Sequence, residues 1–128
     1  MKKELRAHGI KITPQRLEII GKLEELGSSH PSFNDVYKAV EDTYPSISRS
    51  TVYENLKLLV ELGIISSFHY NGEIHYEMNL DPHVNRVGSD GTIRDIRNAE
   101  IKEHLKEIER IINKDEGIKI KNLLVIVE

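Results

Sequence analysis

The dipeptide Asn71-Gly72 constrains this chain more than any other pair of residues. A two-residue hairpin turn that matches the right-handed twist of its strands needs positive φ at two successive positions, and Asn-Gly is the pair that supplies it most cheaply. The flanking residues form "IISSFHYNGEIHYEM", rich in β-branched and aromatic types. A two-stranded hairpin is therefore expected over 64–78.

Three helical segments precede it. In "ITPQRLEIIGKLEELG", Thr13 is placed as an N-cap and Pro14 as the first helical residue. Leu17, Ile20, Leu23 and Leu26 recur at helical spacing, and Gly27 is placed to stop the helix. "SSHPS" reads as a loop. In "SFNDVYKAVEDTY", Ser32 and Asp35 resemble a capping box, with Phe33, Val36 and Val40 as the buried stripe. After a turn at "PSISRS", "STVYENLKLLVELG" makes a third helix with Val52, Leu56, Leu59 and Leu62 inward. Three helices followed by a hairpin is the order of a winged helix-turn-helix domain.

The remainder reads as a second, smaller unit. A hinge is expected at about 79–84, around Pro82. "NRVGSDGTIRDI" reads as a hairpin turning near Ser89-Asp90-Gly91. "NAEIKEHLKEIERIINK" is an amphipathic helix with Ile101, Leu105, Ile108 and Ile112 on one face. The closing strand carries a continuous apolar run, Leu123–Val127, which is expected to be covered on both faces. A unit this small buries little by itself, so pairing with a second copy is expected. The fold class is α+β: a winged helix-turn-helix domain over 1–80 and a small C-terminal α/β dimerisation domain over 81–128.

Composition bounds the chemistry. Hydrophobic residues at 38% and charged residues at 30% fit a folded chain rather than a disordered one. No apolar run approaches the roughly 20 residues that span a bilayer. The opening "MKKELRAHGIKIT" lacks the apolar core of a signal peptide. These features lead to the expectation of a cytoplasmic protein that does not enter membranes. The chain has no cysteine, which excludes disulfides and thiolate-held zinc or iron–sulfur clusters. The net charge is −3, yet residues 1–22 carry six Lys/Arg against two Glu. Residues 71–128 carry nine basic groups against twelve acidic ones. A basic arm ahead of an acidic half suits local contact with phosphates.

The third helix offers Arg49, Ser50, Tyr53, Asn55 and Lys57 on one face. Arg and Lys reach guanine edges or phosphates, Asn pairs with adenine, and an aromatic ring packs on a thymine methyl. Ser50 and Thr51 at the helix start can donate to phosphate. The alternative is an ordinary solvated face, and Glu54 within it favours that alternative.

With these segments in place, the chain resembles the ferric uptake regulator family, which includes the peroxide and zinc sensors. "GIKITPQRLEII", "SSHPSFNDVYKAV" and "STVYENLKLLVELGII" resemble the family's first helix, second helix and recognition helix, and "TVY" is the most specific element. The resemblance is close over 5–80 and lies in layout more than in sequence over 81–128. It implies a homodimeric, metal-responsive transcriptional repressor that binds palindromic operators in double-stranded DNA and is not an enzyme. By position, Tyr53 resembles the tyrosine that contacts bases. Lys11 resembles a basic residue that reaches the minor groove, and Arg16 and Arg49 resemble phosphate or base contacts. Glu54 stands where relatives often carry Arg, which leaves the operator sequence open.

The resemblance also implies a regulatory divalent metal, Fe, Mn, Zn or Co, held between the domains. His30, Glu77, His83, Asn85 and Asp95 correspond to its ligands, with Asn85 in place of a histidine. Asp95 corresponds if one residue is missing within "GSDG". The family's structural zinc needs paired Cys-x-x-Cys motifs, and this chain has none. Singly, His30 also reads as a loop residue capping the next helix, and His83 as an exposed hinge residue. His8, His69, His75 and His104 read as surface or strand residues, with His69 and His75 facing each other across the hairpin. Two other functions stay open: the same regulator without metal control, and a hydrolase using His30, Glu77 and His83. The hydrolase is the weaker, because the chain lacks a nucleophile constellation and a Gly-rich phosphate loop.

Overall fold

The computed structural model describes residues 1–128, the side chain of Ser28 excepted. The chain forms two compact units, Met1–Asn79 and Leu80–Glu128.

The first unit contains α1 (Lys2–Ala7), α2 (Pro14–Leu26), a 3-10 turn (Gly27–Ser29), α3 (Phe33–Thr43), α4 (Arg49–Glu61) and the strands β1 (Ser66–Tyr70) and β2 (Glu73–Glu77). The caps set the boundaries. Thr13 accepts from the Arg16 amide with Pro14 at the first position, and Gly27 ends α2 at φ 50°. Ser32 and Asp35 form a reciprocal capping box at the start of α3. Ser48 caps α4 by accepting from the Thr51 amide. Asn71 and Gly72 have φ of 51° and 78°, the paired positive values of a type I′ turn. The hairpin is antiparallel, with Ser66 opposite Glu77 and Tyr70 opposite Glu73.

Ile20, Leu23, Val36, Val52, Leu56 and Ile65 lie at the centre of this unit, each at most 2% exposed. Removing side chains of this size from water is worth about 1.5–3 kcal/mol each. Residues 2–7, to which the sequence assigned no element, form a helix that Leu5, 1% exposed, anchors in the core. Two sequence expectations are corrected here. Leu17 is 46% exposed, and Ile19 takes the buried place beside Ile20. His69 pairs with Ile74 and His75 with Phe68, so the two histidines point to opposite faces of the hairpin.

The second unit is a three-stranded sheet of order β4-β3-β5 with one helix. Its elements are β3 (Val84–Val87), β4 (Ile93–Ile96), α5 (Ala99–Glu116) and β5 (Val125–Val127). β3 pairs antiparallel with β4, placing Asn85 opposite Asp95. β5 runs parallel to β3, with Val84 opposite Val125. Asn98 caps α5, and Gly117 ends it at φ 63°. Only Asn85, Ile93 and Leu105 are buried among the described residues of this unit. The expected burial of the Leu123–Val127 run is not met within one chain: Leu124 and Val127 are 42% and 40% exposed. Ile108, expected inward, is 43% exposed, beside Ile111 at 43%. β5 is an outer strand of its sheet, so no strand of this unit covers its far edge.

Candidate metal centre and nucleic-acid interface

In the first unit, the 3-10 turn ends at His30, whose backbone is left-handed at φ 52° and ψ 59°. Such a conformation costs a non-glycine residue about 1–3 kcal/mol and persists only where its surroundings impose it. Here they do. The Tyr76 amide donates to the Pro31 carbonyl at 2.9 Å, and Ser32 bridges to His75. The His30 ring is buried with its Nε2 2.8 Å from Glu77 Oε1. An imidazole N–H donating to a carboxylate makes this contact, and displacing that proton would turn the same two atoms into a pair of metal ligands.

In the second unit, His83 Nδ1 donates to the Asp81 carbonyl at 2.6 Å. That bond fixes the tautomer, because a carbonyl only accepts, and it leaves the Nε2 lone pair of a neutral ring pointing away. Nε2 lies 3.1 Å from Asp95 Oδ1 and 3.2 Å from Asn85 Oδ1. The Asn85 amide orientation follows from its other end, since Nδ2 donates to the Val125 carbonyl at 3.4 Å. Three polar atoms thus converge, the Nε2 of His83 and the side-chain oxygens of Asp95 and Asn85. Asn85 is 1% exposed. Its place opposite Asp95 in the β3–β4 register brings both oxygens to one side of the sheet.

The two groups of donors fit a first-row divalent ion. Imidazole nitrogen and carboxylate or amide oxygen, without sulfur, is a donor set that Mn(II), Fe(II), Co(II) and Zn(II) accept.

A family model described as the ferric uptake regulator family matches residues 7–127. The chain belongs to that family. It is 34% identical over 122 residues to the ferric uptake regulation protein homolog of Archaeoglobus fulgidus, covering 95% of this chain and 91% of that one. The peroxide-responsive repressor of Staphylococcus aureus strain Mu50 is 32% identical over 109 residues, 84% of this chain and 70% of that one. The ferric uptake regulator of Pseudomonas aeruginosa with manganese has a TM-score of 0.74 at 29% identity, covering 99% and 96% of the two chains. Ferric uptake regulators are DNA-binding, dimeric transcription regulators, not enzymes. The fold fits that membership: a helical N-terminal part closed by a hairpin, then a small sheet-and-helix domain. No helix among the described residues is long and apolar enough to cross a membrane.

The residues expected to meet DNA divide into two groups. Lys11, Arg49, Ser50, Tyr53 and Lys57 are exposed, whereas Arg16, Thr51 and Asn55 are half-buried. Arg16 is held by two bonds, Nε to Asn55 Oδ1 at 2.9 Å and Nη1 to the Lys11 carbonyl at 2.8 Å. Asn55 in turn donates to the Thr51 carbonyl at 2.8 Å. Both ends of the Asn55 amide are thereby engaged inside the protein. Arg49 is also held in place: Nη2 donates to Asn34 Oδ1 at 2.7 Å, and the guanidinium lies 5.0 Å from the Phe33 ring centroid and 4.7 Å from that of Tyr37. Phe33 meets Tyr53 edge-on at 6.0 Å between centroids.

Sequence reasoning missed three parts of this arrangement. Ser48, Oγ 2.8 Å from Thr51 Oγ1 and 3.2 Å from Ser50 Oγ, organises the hydroxyls at the α4 start. The aromatic bracket around Arg49 draws on two helices, so no local motif announces it. His75 contacts the His30 loop 45 residues away in sequence.

Proposed function

We propose that this protein is a repressor whose operator binding is strengthened by one divalent metal per chain. His30 and Glu77 of the first unit would hold it together with His83, Asn85 and Asp95 of the second. The observation that carries the reading is the convergence of His83 Nε2 with Asp95 Oδ1 and Asn85 Oδ1 at 3.1 and 3.2 Å, with Nδ1 already committed to the Asp81 carbonyl. A histidine with its far nitrogen tied to a carbonyl is the usual ligating form. The donor set agrees with the manganese of the Pseudomonas aeruginosa regulator. When bound, the cation would favour one arrangement about the hinge at 79–84, and a state that binds metal better gains population by that difference. The domain over 1–80 would present Lys11, Arg49, Ser50, Tyr53 and Lys57 to a palindromic operator, with the bonded Arg16, Asn55 and Thr51 supporting that face from behind. The unit over 81–128 carries the dimer contact, and the protein works in the cytoplasm.

A second reading has its own support. Asn85 is a neutral amide satisfied by His83 and the Val125 carbonyl, so a proton on His83 Nε2 would complete the cluster without metal. The regulator would then bind its operator independently of metal.

Operator affinity of the full dimer, measured after chelation and with Mn(II), Fe(II), Zn(II) or Co(II) restored, separates the two. Metal control requires a gain of at least about tenfold, or 1.4 kcal/mol, that His83→Ala abolishes. Equal affinity with and without metal, unchanged in His83→Ala, would sink it in favour of the second reading.

A further inference from the structure

One face of β2 grips His30 at two points. Glu77 and His75 are two residues apart on the strand and therefore share a face. Glu77 Oε1 meets the His30 ring nitrogen at 2.8 Å. His75 Nδ1 meets the His30 backbone carbonyl at 2.9 Å, and since a carbonyl only accepts, His75 is the donor. The first contact aims the ring and the second fixes the backbone that carries it.

The backbone needs fixing. His30 sits in the left-handed region at φ 52° and ψ 59°, which an L-residue leaves readily when unrestrained. A small rotation there swings the whole imidazole. His75 is placed to prevent it, because it is held on two sides. Its ring stacks on Phe68, centroids 5.6 Å apart and planes at 19°, and its backbone bridges to Ser32. Phe68 also meets the His30 ring edge-on at 6.3 Å, so the two histidines flank one aromatic ring.

We infer that His75 is a positioning residue for the metal site: its Nδ1–H holds the His30 carbonyl, and through it sets the direction in which the His30 ring presents its nitrogen. The inference rests on the proposed metal site. It makes the wing hairpin more than a DNA-side element. β2 carries one ligand, Glu77, and the donor that orients another, His30, so strand and ligand loop move as one body. Substitutions of groups that orient a metal-ligating histidine typically weaken binding about 10–100-fold.

The test uses the full-length dimer and Co(II), whose absorption reports ligand geometry as well as occupancy. His75→Phe keeps the stack on Phe68 and removes the donor. His75→Asn returns an N–H to the position of Nδ1. Glu77→Ala serves as the ligand-loss control. The expected result is a Co(II) dissociation constant at least about tenfold higher in His75→Phe, with an altered spectrum, and recovery to within about threefold in His75→Asn. The thermal midpoint of the metal-free protein should stay within a few degrees in both variants. Co(II) binding by His75→Phe with wild-type affinity and spectrum would overturn the inference and leave the metal site standing. Equal weakening in both variants, accompanied by a lowered midpoint, would also overturn it, since the role would then be packing. If wild type and Glu77→Ala alike take up no Co(II), the metal reading falls and the inference falls with it.

Discussion

His83 and Asp95 meet at 3.1 Å between Nε2 and Oδ1, on the side of His83 opposite to its bond with the Asp81 carbonyl. Asp95 thus places a carboxylate oxygen beside the Nε2 of an oriented imidazole. Asp95→Asn preserves shape and one oxygen but removes the carboxylate's charge. Divalent-metal affinity is expected to fall by at least about tenfold, roughly 1.4 kcal/mol, in competition against a chromophoric chelator. The midpoint of the metal-free protein should change little. An unchanged affinity would remove Asp95 from the ligand set.

Lys57 and Tyr53 should fail differently on DNA. Both are exposed on α4, and Lys57 has only a loose 3.9 Å pairing with Glu61. A phosphate contact adds about 0.9 to the slope of log affinity against log salt. Lys57→Ala is therefore expected to weaken operator and random DNA alike and to lower that slope by about 0.9. Tyr53→Ala should leave the slope intact and reduce the ratio of operator to random binding by about 1–3 kcal/mol. Fluorescence anisotropy over a salt series on both DNAs distinguishes them. A slope change in Tyr53→Ala would contradict a base-reading role.

The dimer contact is expected on the exposed apolar groups of the second unit. Leu124, just before β5, and Val127, at its end, are 42% and 40% exposed, and Ile108 and Ile111 on α5 are each 43% exposed. A charge placed among them would have to be buried on association, at a cost of several kcal/mol. Leu124→Asp is expected to raise the dimer dissociation constant by about 100-fold or more. Sedimentation velocity at micromolar concentration should then show monomer where wild type is dimeric. Operator binding should weaken in parallel, because two half-sites need two linked domains. A dimer that survives Leu124→Asp would place the contact elsewhere.

The sequence exposed the elements better than it exposed their faces. Caps and turns are local, and Thr13, Ser32 with Asp35, and Asn71-Gly72 act as their types require. Leu17 and Ile108 misled because periodicity reveals an apolar stripe but not what covers it: Leu17 is 46% exposed, whereas Ile19, on another side of the same helix, is buried. The pairing of His30 with Glu77 was legible only through resemblance, since 47 residues separate them. His75 was read as a strand residue because its partner is a backbone carbonyl, and no residue type marks that. The engagement of Asn55 by Arg16 was hidden for a similar reason: both types suit DNA, and only the fold shows them bonded to each other.

Tyr76 gives the first unit a pH limit of its own. The side chain is 3% exposed within the core, and burial, with a smaller contribution from Tyr53, pushes its hydroxyl up to about 12 from 10.0. The phenolate is the form that burial disfavours. The folded chain therefore keeps this proton at pH values where the unfolded chain has released it. Stability from this group is fully present below pH 10 and is lost as pH rises from 10 toward 12. Two pH units of difference correspond to about 2–3 kcal/mol. Lysines titrate in the same range, so the comparison must be with Tyr76→Phe, which retains the ring and removes the titrating group. Urea unfolding at pH 8, 10 and 11.5 is expected to show wild type losing more stability than Tyr76→Phe over the upper interval only, by about 2 kcal/mol. Parallel losses in the two proteins would mean that the Tyr76 hydroxyl ionises as readily in the core as in water.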